Sequence, residues 1–395
     1  MTRLIAPTER RARLGRRHAL AAPVATSEEA ATAVVALHST DPAAMTLGVL
    51  ARTRATDVDD LHRALYADRT LVRLLTMRRT VFAVDTALAP AFLAATATSV
   101  AATQRRRTHA LLVEGGVTTD PAAWLARAED VGRAFLADAG VFASKDLAAA
   151  DPLLATRMRF GEGATAVEQS VASRLLTLWS SEGLVVRATV AGGWTSTQFR
   201  WAPTAAWLGE LPPSPDLATG SAIVAGAYVA RYGPVTVDDL EWWTGWTKTH
   251  TRATLAALRD GGAIARVEVA EGEAYVVAGD VAEVAAPEPW VALLPALDPS
   301  AMGWKHRDFH LGPHRAEVFD RNGNAGPTAW VDGAVVGGWA IRDDGTIGLD
   351  LLQEVDDVAR GRLEERAGEV EAFLAGTVVK ARARGWTPSE KRVRG

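Results

Sequence analysis

Cysteine is absent from the 395 residues. That single absence removes disulfides, thiolate metal ligands and cysteine nucleophiles together. Also missing is an uninterrupted apolar run long enough to cross a bilayer, because the longest stretches are alanine-rich and broken by Thr, Gln or Asp. The N-terminal MTRLIAPTERRARLGRRHALAAP is basic, but its apolar residues are too interrupted for a signal-peptide core. The expectation is a cytoplasmic protein with no membrane association. There is no excess of positive charge either: 43 Lys and Arg face 47 Asp and Glu, a net −4, which excludes a surface coated in basic groups. Local clustering decides nucleic-acid binding, and three clusters exist: Arg10 to Arg17, Arg105-Arg106-Arg107, and the tail Lys380 to Arg394. Each alone reads as a solvated face or loose end; together they are compatible with a phosphate-tracking surface. A composition of 48% hydrophobic and 23% charged residues gives no basis for extended disorder. The length implies roughly two to four domains.

Residues 1–112 read as helices followed by a β element. Thr26 or Ser27 caps a helix running through Ala30 to Leu37, with Glu28 and Glu29 in its first turn. Asp41 and Pro42 open the next helix, AAMTLGVLAR. Asp57 to Ala67 has apolar positions at helical spacing, Thr70 to Met77 continues helical, Arg79 to Val84 turns β-like, and Thr86 to Gln104 is another helix. Over 113–217, an Asp120-Pro121 start leads into a helix at Ala122 to Ala139, stopped by Gly140. A short helix at Ser144 to Ala150, a longer one at Ala166 to Ser181, and a hairpin around Gly192-Gly193 follow. Helix, short helix, longer helix and hairpin is the winged-helix order. It returns over 218–284 as Ala222 to Tyr232, Thr236 to Thr244, Thr247 to Asp260 and a hairpin around Glu271-Gly272. With the first unit this makes a divergent internal repeat. Residues 285–395 change texture: short β runs alternate with turns, and a helix from Val355 to Leu374 follows. The fold class is α+β, with tandem winged-helix domains, three in all, ahead of a β-rich domain carrying a terminal helix.

Within the first unit, His38 and Thr40 lie two apart in a corner, Leu37-His38-Ser39-Thr40-Asp41-Pro42, expected between two helices. Capping accounts for these polar groups on spacing alone; aimed at a cleft, they would form a site. The segments VVALHSTDPAAMTLGVLAR and LVRLLTMRRTVFAV, with WVALLPALDPSAMGWKHR and GPTAWVDGAVVGGW farther on, resemble the AlkZ/YcaQ-like winged-helix family, bacterial DNA glycosylases and their relatives. The resemblance covers essentially the whole chain. It implies three winged-helix units, a C-terminal β-barrel and a channel for duplex DNA. Family members carry Gln-x-Gln or Gln-x-Asp just before Asp-Pro, where this chain has His38 and Thr40 around Ser39. The family's Arg-x-Thr appears as Arg78-Arg79-Thr80, and the His two residues beyond it is here Phe82. On this basis His38, Thr40 and Asp41 are the candidate catalytic residues: His38 to orient or deprotonate water, Thr40 to hydrogen-bond it, and Asp41 to stabilise a cationic sugar unless its carboxylate is occupied as a helix cap.

Candidate DNA contacts are Arg78, Arg79, Arg105, Arg106 and Arg107, Arg174 in the middle unit, and Gln198 and Arg200 on its hairpin. Lys248, Thr249, His250 and Arg252 open the third helix of the last unit, where a winged helix meets a groove or phosphates. Trp194 packs beneath its own hairpin or reaches a backbone. Trp242 and Trp246 share a helix face and suit an interdomain core. His306, His310 and His314 are four apart, but Gly312-Pro313 breaks any helix between them and no carboxylates complete a metal site. No metal or cofactor is expected. The resulting expectation is a monomer on double-stranded DNA, a monofunctional glycosylase (or a protein derived from one) acting on alkylated or bulky-adducted purines in repair or genotoxin resistance. Departures at His38, Thr40 and Phe82 motivate the alternative, a non-catalytic regulator or lesion sensor.

Overall fold

The structure is a computed structural model, and residues 2–55, 57–161, 167–377, 379 and 385–395 are described. It is α+β throughout. An N-terminal strap, α1 (Pro7–Arg17), precedes α2 (Ser27–Ala33). Thr26 and Glu29 cap α2 reciprocally, each accepting from the other's backbone N–H. The helix ends before the apolar run does, because Val35 adopts φ 63 and the chain leaves as β1 (Leu37–His38). His38 therefore lies on a strand rather than in a corner between helices. Next come α3 (Pro42–Leu50), capped by Asp41, and α4 (Asp59–His62), which runs into a π turn over Arg63–Ala67. Two strands follow, β2 (Leu71–Leu75) and β3 (Val81–Asp85), in the antiparallel order β1-β3-β2. The stretch expected to continue helical is thus β2. All five of its residues are buried, and a short apolar run covered on both faces has no period that separates strand from helix.

The next helix, α5 (Ala89–Glu114), is preceded by a single 3-10 turn. Together they span 29 residues, and an 18-residue window within them has a mean hydropathy of 1.3, long and apolar enough to cross a membrane. In this fold α5 packs along two later helices, Val171–Ser181 and Leu217–Tyr232, burying Phe92, Ala95, Gln104 and Leu111. After it come α6 (Pro121–Asp138), α7 (Ser144–Ala149), α8 (Pro152–Ala155), β4 (Arg157–Phe160), β5 (Val167–Ser170), α9 (Val171–Ser181), the hairpin β6 (Val185–Val190) and β7 (Phe199–Pro203), and α10 (Thr204–Leu208). The helix expected from Ala166 starts at α9 with Ser170 as cap; Ala166 itself lies outside the described residues. A third set repeats the order with α11 (Leu217–Tyr232), α12 (Val237–Thr244), α13 (Lys248–Asp260), β8 (Ile264–Val269) and β9 (Gly272–Val277). Between first and second helices, single-residue bridges Phe142 to Trp201 and Val235 to Tyr275 tie each hairpin back. This is the place β1 occupies in the first set.

The last region holds β10 (Val291–Leu294), three short helices α14 (Pro299–Met302), α15 (Asp308–Leu311) and α16 (Arg315–Val318), then β11 (Thr328–Val331), β12 (Ala334–Ile341), β13 (Ile347–Leu351), α17 (Asp357–Leu374) and α18 (Pro388–Arg394). Its strands form a four-stranded antiparallel sheet in sequence order. The sheet stays open, so the expected barrel does not close among the described residues. Helices cover it instead: Leu363, Ala367 and Val370 of α17 pack on Leu293 and Trp339, while Gly338 and Gly348 leave room for Ser389 and Val393 of α18.

Two expected basic clusters are internal ties. Arg10 binds Glu271 at 2.9 Å, Arg13 binds Glu9 at 2.8 Å and Asp280 at 3.0 Å, and Arg17 also pairs with Asp280. In the tail, Arg392 pairs with Asp350 and Glu317 and Arg394 with Asp343; Lys380, Arg382 and Arg384 lie outside the described residues. These pairs tie α1 and the tail to other elements, and the Arg10 donors left over, Nε and Nη2, are buried.

Candidate functional site

Three parts of the chain meet in a cleft of about 550 Å³ lined by Ala36, His38, Arg78, Thr80, Phe82, Trp243, Leu297, Pro299, Met302, Gly303 and Asn324. Its frame is the segment from Asp298 to Trp304. Asp298 caps α14 by accepting from Ser300 N–H at 2.8 Å and also takes both arms of Arg52, at 2.7 and 2.8 Å. Arg52 donates further to Ser300 Oγ at 2.8 Å and Gly48 O at 2.7 Å, and Ser300 Oγ meets His18 Nδ1 at 2.8 Å. Aromatic groups fasten the same segment to the third unit: Tyr228 Oη donates to Gly303 O at 2.7 Å, Trp304 Nε1 to Tyr232 O at 3.1 Å and Trp242 Nε1 to Met302 O at 3.1 Å. Tyr232 Oη donates to Val34 O at 3.0 Å, which brings in the segment leading to β1. Such a densely bonded frame lets the side chains above it be placed by rigid elements.

His38 is half-buried at the wall of this cleft. Its Nδ1 is enclosed without a hydrogen-bond partner, which leaves Nε2 as the ring nitrogen open to the cleft. Cross-strand from it stands Phe82, the ring edge-on at 5.8 Å. The family's histidine position is therefore the register partner of His38. Burial, reinforced by the Arg78 cation and opposed by Asp298, lowers the His38 pKa to about 4. With its pKa that low, the imidazole is neutral at physiological pH and is able to hydrogen-bond without carrying charge. Thr40 is half-buried but does not line the cleft, and Asp41 accepts from Ala43 N–H at 3.0 Å as the cap of α3.

Arg78 enters the cleft from the β2–β3 turn with its guanidinium 4.8 Å above the Trp242 ring. Burial lowers its pKa, partly offset by Tyr228 and Tyr232. Arg79, Arg106, Arg107, Gln198, Arg200, Thr249 and Arg252 are exposed. The remaining expected contacts are already engaged. Arg105 holds Glu129 through both arms at 2.9 Å and Glu182 at 2.5 Å. Arg174 is 7% exposed and donates to Gln104 Oε1 at 2.5 Å and Thr108 Oγ1 at 3.0 Å, so it belongs to the interior and not to a groove-facing surface. Lys248 pairs with Asp238 at 3.0 Å, and His250 Nε2 meets Ser221 Oγ at 2.9 Å. Trp194 leaves its own hairpin and packs edge-on against Phe373 of α17 at 5.7 Å. His306 faces Asp238, His310 stacks on Trp330 and His314 meets Gln353, each with its own neighbour.

Sequence reasoning missed Trp243, Asn324 and the 297–303 wall. The available signal was a second Asp-Pro helix start, Asp298-Pro299, echoing Asp41-Pro42.

By fold, the chain matches DNA glycosylase AlkZ of Streptomyces sahachiroi with a TM-score of 0.74, covering 96% of this chain and 99% of that one at 20% identity. The likeness places it among proteins with that architecture. More particularly, the chain belongs to the AlkZ-like DNA glycosylase family, whose model matches residues 31–375. The interstrand DNA cross-link repair glycosylase of S. sahachiroi is 32% identical over 136 residues, a match spanning 33% of this chain and 36% of that relative.

Proposed function

We propose that this protein is a monofunctional DNA glycosylase that hydrolyses the N-glycosidic bond of alkylated or bulky-adducted purines in double-stranded DNA, as a monomer in the cytoplasm. The observation that carries the reading is the neutral His38 imidazole opening on an aromatic-walled cleft in a chain of this family. A base inside a duplex is out of reach, so the nucleotide must swing out of the stack; Phe82 and Trp243 offer flat apolar walls to receive it. An N7- or N3-alkylated purine is already cationic and departs with the electrons of the glycosidic bond, needing little acid. Water adds to the sugar carbon left behind and gives up a proton to bulk solvent. A base near pKa 4 captures that proton weakly at neutral pH, so His38 orients the water with a fixed dipole, the service an amide gives in Gln-x-Gln. The cross-link repair in the name of the S. sahachiroi relative supports bulky adducts as the substrate class.

Under this reading residues 1–112, 113–217 and 218–284 act as three winged-helix units and 285–395 as a fourth, sheet-based domain. The exposed Arg79, Arg106, Arg107, Gln198, Arg200, Thr249 and Arg252 supply duplex contacts. Thr40 outside the cleft lining and Phe82 opposite His38 favour a second reading, a lesion sensor without catalysis. Purified protein incubated with duplexes carrying N7-methylguanine or a bulky genotoxin adduct, followed by cleavage at abasic sites, decides between them. Strand breaks are expected; intact strands with DNA binding retained would leave only the sensor.

A further inference from the structure

The turn joining β2 to β3 is closed by Thr76 N–H bonding to Thr80 O at 3.0 Å, and its two arginines are both left-handed, Arg78 at φ 53 and Arg79 at φ 61. Glycine or asparagine suits such a pair. A non-glycine residue there costs backbone energy and persists only where its surroundings over-determine it. Those surroundings are specific. Gly245, itself at φ 76, has no Cβ, and one placed there would lie 3.0 Å from Arg78 Cγ. Trp242 supports the guanidinium face and is pinned by its bond to Met302 O. Arg307 lies 5.3 Å from the same ring and adds positive potential. Among the described residues no carboxylate pairs with Arg78, its Nε is buried without a partner, and no Asp or Glu lines the cleft. A cation so carefully placed and left without an anion marks where an anion binds.

We propose that Arg78 and Arg79 grip one phosphodiester of the strand whose nucleotide enters the cleft, Arg78 from the cleft side and Arg79 from solvent. The inference rests on the DNA-acting reading above. A guanidinium fork matches two phosphate oxygens, whereas a cationic alkylpurine would be repelled by Arg78, so the base is not its ligand. In this role Arg78 is a positioning residue.

Fluorescence anisotropy tests it, using duplexes with a tetrahydrofuran abasic analogue and a single methylphosphonate at successive positions on either side. For wild type, one neutralised phosphate near the analogue should weaken binding about tenfold, and log K should fall steeply with log salt. Arg78→Gly relieves the left-handed strain, so its melting temperature should be at least that of wild type. Its salt slope should be shallower by about 1, and the methylphosphonate penalty should vanish at that same position. Arg78→Lys should recover part of both. An unchanged slope, or a penalty that persists in Arg78→Gly at every position, would overturn the proposal. Base release assayed in parallel separates the two readings: coupling without release keeps the phosphate grip and removes the glycosylase, release without coupling does the reverse, and a wild type that binds no DNA removes both.

Discussion

Arg52 and Arg78 border the same segment, Asp298 to Trp304, and are treated in opposite ways. Arg52 is fully buried with a bidentate carboxylate, a hydroxyl and a carbonyl around it. Arg78 stands on an aromatic ring in the cleft with no carboxylate partner among the described residues, while the Nε of both arginines is enclosed and unbonded. A charge withdrawn from water is tolerated when it is paired with an opposite charge and hydrogen-bonded, and Arg52 joins α3 to the C-terminal region in that way. A cation with no carboxylate beside an accessible cleft is better suited to a ligand. The ion-pair tie therefore lies beneath the cleft floor, and the cation without a carboxylate lies above it, at Arg78.

The comparison can be broken first at Arg52. Arg52→Ala strands Asp298 in the interior and should cost about 3–5 kcal/mol in urea unfolding; a loss below about 1 kcal/mol would mean that the pair is no more than a surface bridge. His38→Ala should lower single-turnover base release about 100-fold while leaving DNA affinity unchanged, which separates chemistry from binding in the cleft wall. Gly245→Ala adds a methyl group against Arg78 Cγ at a left-handed position and should destabilise by about 1–2 kcal/mol. It should also weaken DNA binding without removing any charge.

Acid sharpens the contrast further. The His38 pKa is about 4 in the folded chain against 6.5 ordinarily, so the unfolded chain takes the proton first. Its contribution is complete above about pH 6.5 and is lost as pH falls toward about 4. Burial pushes His18 and His310 in the same direction. His38→Gln should flatten the pH-dependence of stability over that interval by up to about 3 kcal/mol, read from unfolding midpoints. Smallest of all, Lys248→Ala removes an exposed pair with Asp238 and should change stability by less than about 0.5 kcal/mol.

Local chemistry was legible in the sequence. Asp41, Asp120, Thr236 and Thr247 cap the helices their types announce, and His38 was singled out as the residue of interest. Residues governed by tertiary context were not legible. β2 is buried on both faces, Arg73 included, and so lost its period, and α2 stopped at Val34 where an alanine run suggested more helix. The Arg10–Arg17 cluster looked like a basic face because its partners, Glu271 and Asp280, lie far along the chain. For the same reason the resemblance pointed to Arg78 and Thr80 but not to Trp243 or Asn324, which reach the cleft through packing between units.

A pH profile of single-turnover base release by the wild-type chain, between about pH 5 and 8, tests the role of His38 most directly. A neutral imidazole with pKa near 4 gives a flat profile across this range, with His38→Ala slow at every point. A rate that climbs with an apparent pKa near 6.5 and loses that step in His38→Ala would show a titrating base instead. Equal rates for the two proteins would remove His38 from the chemistry.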